Sequence, residues 1–235
     1  MKICFIDTLG LCYDGSTLGK RGLGGSESAI ILMSRELAKI GFDVTVFNDC
    51  QADDAEPGIY DNVLYRPLRE VETCKDTFDV VIGSRSVSSF APDDWRQQFK
   101  TFTEGMPKFE AFMARAGYKI LWMHDTFCDG DEYIENFVVQ GRIDEVFTLS
   151  DWHTTYITNA DHAYKRMFEV LKKRVFQTRN GIGAMPKEWI DIRDKDPNHF
   201  VYNSSVTKGM YPLLLEVWPR IKKRLPDARL TVIGG

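Results

Sequence analysis

Arg21-Gly22-Leu23-Gly24-Gly25-Ser26-Glu27-Ser28, continuing into Ala29-Ile30-Ile31-Leu32-Met33-Ser34-Arg35-Glu36-Leu37-Ala38, sets the architecture of this chain. Three glycines in four positions leave the backbone free to take positive φ and let a ligand approach it closely. Ser26, Glu27 and Ser28 suit a first helical turn, where hydroxyls and carboxylates satisfy or complement orphan N–H groups. Ile30, Met33, Leu37 and Ile40 then recur at helical spacing, which predicts a helix to about Ile40 with one face on a core. A glycine-rich loop opening a helix offers bare N–H donors and a positive dipole end, suited to phosphate or to the hydroxyls of a polar ligand.

The segment departs from a dinucleotide fingerprint, whose glycines directly follow the first strand. Here the first strand, Lys2 to Asp7, ends near Thr8, and about thirteen residues separate it from Gly22. Two readings of the segment therefore stay open: a ligand loop, or a flexible loop capped by a helix.

Outward from this helix, Gly41 is a natural stop, and Asp43-Val44-Thr45-Val46-Phe47 forms a second strand. Strand, helix and strand in this order are the unit of a parallel sheet. Gln51 to Gly58 reads as a solvated connection. Val63-Leu64-Tyr65 and Phe78-Asp79-Val80-Val81-Ile82-Gly83-Ser84-Arg85 are further strands, followed by a helical stretch from Pro92 to about Gly117, broken near Gly105-Met106-Pro107. Lys119-Ile120-Leu121-Trp122-Met123-His124-Asp125 is a strand, Tyr133 to Val139 a short helix, and Glu145 to Ser150 a strand. Helices from about Asp151 and over 163–174 precede the strand Arg174 to Gln177. A linker over 186–198 leads to the strand Phe200 to Ser204, a helix from Tyr211 to Leu225 and the strand Leu230 to Ile233. A region of about fifty residues with two strands cannot bury a core alone, so the chain reads as cut short.

A formal charge of -4 argues against a nucleic-acid binder that works by bulk electrostatics. Hydrophobic content of 43% can build a substantial core. Cys4, Cys12, Cys50, Cys74 and Cys128 make an odd five with no C-x-x-C pair and no histidine at ligand spacing, which points away from zinc and from a disulfide framework. No run reaches the ~20 apolar residues of a membrane span, and the N-terminus is too soon polar for a signal peptide. A cytoplasmic protein is expected.

In open parallel sheets, ligands sit beyond the carboxyl ends of the strands. The polar residues there are Asp7 and Thr8, Ser84 and Arg85, His124 and Asp125, Ser150 and Asp151, and Arg179 and Asn180. They are expected to share one rim with the glycine-rich loop. A histidine beside a carboxylate at a strand end can be held in one tautomer and bond a hydroxyl; a satisfied structural histidine is the competing reading of His124. His153, His162 and His199 read as structural, and Glu27 as a carboxylate complementing the helix dipole. The basic helix 164–174 reads as a solvated outer face, with peripheral contact to an anionic membrane as the alternative.

These residues, in this order, resemble retaining GT-B glycosyltransferases of the family 4 (group 1) type. The resemblance rests on Gly22-Leu23-Gly24-Gly25-Ser26-Glu27, His124-Asp125, Arg179-Asn180-Gly181-Ile182 and Lys208-Gly209, and on the strand-and-glycine end Val232-Ile233-Gly234-Gly235. It implies an α/β fold: a Rossmann-like parallel sheet with helices on both faces over 1–185, then the linker, then an incomplete donor-side unit over 199–235. It implies transfer of a sugar from a nucleotide sugar to a carbohydrate or glycolipid acceptor, without a metal or a cofactor beyond the donor itself. By the same resemblance, Gly24, Gly25 and Ser26 approach donor phosphates and acceptor, His124 lies near the transferred sugar, Asp125 and Asn180 line the site, and Lys208 steadies the departing diphosphate. Two features depart from the family. Tyr202, Asn203 and Ser204 stand where the first basic partner of Lys208 belongs, and the acidic E-x7-E signature would lie beyond Gly235. The polypeptide as given is therefore expected to carry the acceptor half and to be inactive alone.

Two other classes compete. A Rossmann oxidoreductase is disfavoured by the long loop before Gly22 and by Asn48 standing first after the second strand. A non-catalytic carbohydrate- or nucleotide-binding module would use the same cleft.

Overall fold

The computed structural model describes residues 1–52, 54–97, 106–125, 133–158, 172–179, 195–204 and 206–233. Contacts divide the chain into two units, Met1–Gly181 and Ile182–Gly235. The expected Asn180, Gly181-Ile182 turn, Cys128, most of the basic helix 164–174 and of the linker, Ser205, and the terminal Gly234-Gly235 lie outside the described residues.

The first unit is a Rossmann-like α/β fold built on an eight-stranded, mostly parallel sheet. Its strands are β1 (Lys2–Asp7), β2 (Asp43–Asn48), β3 (Gly58–Tyr60), β4 (Val63–Pro67), β5 (Val80–Ser84), β6 (Tyr118–Trp122), β7 (Glu145–Thr148) and β8 (Val175–Gln177), in the order β3-β4-β2-β1-β5-β6-β7-β8. Every pairing is parallel except β3 with β4. Alternate residues of β1 serve opposite faces, as the pleat demands. Ile3 and Phe5 join Val44, Val46, Ile82, Ile120 and Trp122 on one side, while Cys4 and Ile6 join Phe47, Val81, Leu121 and Met123 on the other. Helix α1 (Gly25–Lys39) packs Ile30 and Ile31 on the first face. Helices α2 (Glu110–Met113) and α3 (Ile134–Val139) bring Phe112, Ile134 and Phe137 to the second.

Helix α1 ends in a Schellman motif. Gly41 sits at φ 94°, its N–H donates to Ala38 O, and the Phe42 N–H donates to Leu37 O. That turn lifts Ile40 out of the core, where it is 70% exposed; the fully buried Ser34 occupies the face instead. Strand β3, unforeseen, is the outer arm of a hairpin whose two turn residues, Asp61 and Asn62, both take positive φ. The stretch from Pro92 is not one helix among the described residues: a 3-10 turn at Asp93–Gln97 and the short α2 stand there.

In the second unit, β9 (His199–Asn203) pairs in parallel with β10 (Arg229–Ile233). Between them Met210–Pro212, a π-helical Leu213–Val217 and Trp218–Arg224 form one helical run. Pro219 cannot donate to the helix ladder, which accounts for the widened turns before it.

Candidate functional site

From β1 the chain moves outward through β2 and β4, then crosses back to place β5 on the other side of β1. The carboxyl ends of β1 and β5 are thus the topological switch point, where open α/β sheets take their ligands. The strand-end residues expected from the sequence sit on this edge of one sheet: Asp7 on β1, Ser84 and Arg85 at β5, His124 and Asp125 after β6, Ser150 and Asp151 after β7, Arg179 after β8.

The loop from Thr8 to Gly24 is pinned. The Tyr13 N–H donates to Asp49 O, Asn48 Nδ2 donates to Tyr13 O at 2.6 Å, and the Arg21 guanidinium donates to Cys12 O. The glycine-rich segment works differently from expectation. Gly24 is the N-cap of α1 at φ -64° with no side-chain cap, and none of Gly22, Gly24 or Gly25 takes positive φ. A Cβ on Gly24 would lie 2.1 Å from Glu27 Oε2, so that carboxylate would have to shift to admit one. A Cβ on Gly22 or Gly25 would meet nothing within 4 Å, so at those two positions the backbone stands open to a ligand. Ser26 lends its hydroxyl to Glu27 Oε2 at 3.1 Å instead of capping the helix.

Glu27 is buried and held from three sides. Its Oε1 accepts from Arg85 Nη2 at 2.9 Å and from the Leu11 N–H at 3.3 Å, while Oε2 accepts from Ser26. A carboxylate so engaged ties the loop, the first turn of α1 and the end of β5 together, which is more than dipole complementation. Arg85 Nη2 also lies 3.7 Å from Asp7 Oδ1. Asp7 in turn accepts from the Tyr13 hydroxyl at 3.3 Å and from the Leu9 N–H at 3.4 Å. Burial raises the Asp7 carboxyl above its ordinary range against the pull of Arg85, with Glu27 adding to the rise.

His124 follows β6, its ring 4.3 Å from that of Trp122. Burial pushes its imidazole down to about 4; Arg85 presses the same way, Glu27 opposes, and His153 lowers it further. It is neutral at pH 7, and its Nε2 is buried with no partner among the described residues. The carboxylate that acts on His124 is thus Glu27. Asp125, exposed at the rim, acts on His153 instead. His153, on helix α4 (Asp151–Thr158), is buried; it accepts the Leu149 N–H on Nδ1 at 3.4 Å, and its Nε2 has no partner among the described residues. The sequence gives no sign that Tyr13, Trp122 and His153 join this edge, because those approaches depend on long-range packing.

Lys208 belongs to the second unit, exposed before Gly209, which takes φ 100°. Among the described residues no group of three or more His, Cys, Asp or Glu is placed to hold a metal ion. No helix among them is long and apolar enough to cross a membrane.

No family model matches the chain, and no curated protein matches it. Among solved structures it is similar to an NADPH-dependent glyoxylate/hydroxypyruvate reductase from Sinorhizobium meliloti, solved in complex with NADP and sulfate. The identity is 12% and the TM-score 0.34, over 76% of this chain and 45% of that one. The chain therefore spans less than half the length of the reductase chain it matches.

Proposed function

We propose that this chain serves a glycosyltransferase, supplying the acceptor side of a site that moves a sugar from a nucleotide sugar to a carbohydrate or glycolipid acceptor with retention. The observation that carries this reading is the neutral His124, its buried Nε2 without a partner among the described residues, at the switch point beside the Glu27–Arg85 pair. A neutral imidazole donates from one nitrogen and accepts at the other, which matches a sugar hydroxyl and does not match a fixed cation or a general acid at pH 7. Gly22, Gly25 and the uncapped first turn of α1 offer backbone N–H groups to the same ligand.

Dinucleotide binding fits these residues less well. The space directly after β1 is filled by the pinned loop. Asn48, the last residue of β2, spends its amide on Tyr13 O and is buried, and the acidic Asp49 comes only one position later. Asp125, exposed after β6, would line the acceptor.

Release of nucleoside diphosphate from a panel of uridine, guanosine and adenosine diphosphate sugars, offered with mixed glycan and glycolipid acceptors, tests the reading. Turnover is expected only where the donor-side residues are supplied together with this chain, and His124→Ala is expected to abolish it. Micromolar binding of NADPH, seen as quenching of Trp122 fluorescence, without any nucleotide-sugar turnover would replace it with the oxidoreductase reading. Saturable sugar binding without turnover in a form of the protein extended beyond Gly235 would replace it with the binding module.

A further inference from the structure

Arg85 stands in a conformation that its residue type disfavours. Its φ is 61°, and the Ser86 N–H donates to Ser84 O at 2.8 Å across it, an i to i+2 bond that closes a γ-turn of the rare, strained hand. Strained backbone persists where surrounding contacts over-determine it, and it is concentrated where a side chain must be aimed. Here the contacts are visible. The Arg85 N–H donates to Trp122 O at 3.0 Å, tying the end of β5 to the end of β6. Its side chain reaches Glu27 on the first turn of α1 at 2.9 Å and Asp7 at the end of β1 at 3.7 Å. One residue therefore links four elements at the switch point, and the turn is what directs the guanidinium back across the strand ends.

We propose that Arg85 is the positioning residue of this site: through Glu27 it locks the glycine-rich opening of α1 to the strand ends that carry Asp7 and His124. Its Nη2 is committed to carboxylates. The locking also fixes what His124 experiences. The charged groups acting on that imidazole are Arg85, Glu27 and His153, and the first two oppose each other. The purpose assigned to the lock rests on the glycosyl-transfer reading; the lock itself does not.

Histidine titration by nuclear magnetic resonance, with His124→Ala for assignment, tests the lock without needing a substrate. In Arg85→Gln the His124 midpoint should rise above about 4 yet stay below the ordinary 6.5, since burial, the larger cause, remains while the lowering cation is gone and the Glu27 carboxylate stays. Arg85→Lys, which restores the cation, should return it most of the way. Glu27→Gln should move it below the wild-type midpoint. Amide exchange at Leu11 and over 24–28 should quicken at least about tenfold in Arg85→Gln and much less in Arg85→Lys. An unmoved His124 midpoint in folded Arg85→Gln, or identical behaviour of the glutamine and lysine variants, would overturn the proposal. Should the glutamine variant fail to fold, Glu27→Gln decides alone: a midpoint equal to or above wild type rejects the lock. None of these readouts depends on sugar transfer, so an absence of turnover with the titrations as expected would reject only the glycosyl-transfer reading.

Discussion

The backbone of Arg85 donates to the carbonyl of Trp122 while its guanidinium closes on Glu27, 58 positions away in the sequence. Main chain and side chain of one residue thus hold different walls of the same crevice, and the γ-turn between them is the cost.

That cost can be separated from the benefit. Arg85→Ala removes the guanidinium and keeps a Cβ at φ 61°, whereas Arg85→Gly removes both. Left-handed backbone costs a residue with a Cβ about 1 kcal/mol or more that glycine avoids. Urea unfolding should therefore find the glycine variant more stable than the alanine variant by about 1 kcal/mol, with both below wild type. An alanine variant as stable as the glycine variant would mean the turn is unstrained.

Gly24 and Gly25 should part company under substitution. Gly24→Ala drives a Cβ into Glu27 Oε2 and disturbs the Arg85 pair, so a loss of about 1–3 kcal/mol is expected. Gly25→Ala meets open space at the first position of a helix, and its stability should stay within about 1 kcal/mol of wild type, on the favourable side. If ligand backbone contacts run through Gly25, its alanine variant will be as stable as wild type and weaker in binding. Equal stability of the two variants would remove the packing argument for Gly24.

Asp7 and His124 give stability opposite pH slopes. The native state holds the Asp7 proton more tightly than the unfolded chain does. Its contribution is full below the ordinary 3.8 and declines as pH rises through the raised native value. His124, at about 4 when native and 6.5 ordinarily, contributes fully above 6.5, and that contribution is lost as pH falls towards 4. Melting temperatures measured from about pH 4 to 8 should show Asp7→Asn gaining on wild type as pH rises. His124→Gln should lose less than wild type on the acid side. Parallel profiles for all three proteins would show that neither group is perturbed in the native state.

The frame of the fold was legible because it rests on local pattern. Continuous apolar runs mark β1, β2, β5 and β6, and glycines bracket α1 at both ends. The crevice was legible at the level of strand ends, since a parallel sheet sends every carboxyl end to one edge. What stayed hidden depends on contacts far apart in sequence or on unlikely backbone. Nothing in an arginine announces a left-handed γ-turn, and Asp61-Asn62, though both residue types tolerate positive φ, lacks the glycine that marks a two-residue hairpin most clearly. The helical spacing counted Ile40 with the core face, because a period alone does not show that the turn at Gly41 withdraws the last position. Asp125 looked like the carboxylate for His124 by adjacency, yet neighbours along a strand end point apart, and the long-range Glu27 took that place.

The second unit should be the first to open. Its two strands pair through five residues each, and their residues are exposed or half-buried, whereas five of six in β1 are buried. A two-stranded sheet is marginal without an apolar face covered by further structure. The cover visible within this unit includes the edge contact of Phe200 with Trp218 at 5.8 Å and the buried Ala228. The ion pair of Arg229 with Asp196 lies in solvent, where such pairs contribute little. Local opening is favoured where few apolar contacts hold the backbone hydrogen bonds. Hydrogen exchange should therefore show the amides of β9 and β10 exchanging at least about a hundredfold faster than those of β1 and β5, with Cys4, Phe5 and Ile82 among the slowest. Binding of a nucleotide sugar that uses Lys208 should slow β9 and β10 selectively. Protection in β9 equal to that in β1 without ligand would show that the unit is held by contacts stronger than its own strands and helices provide.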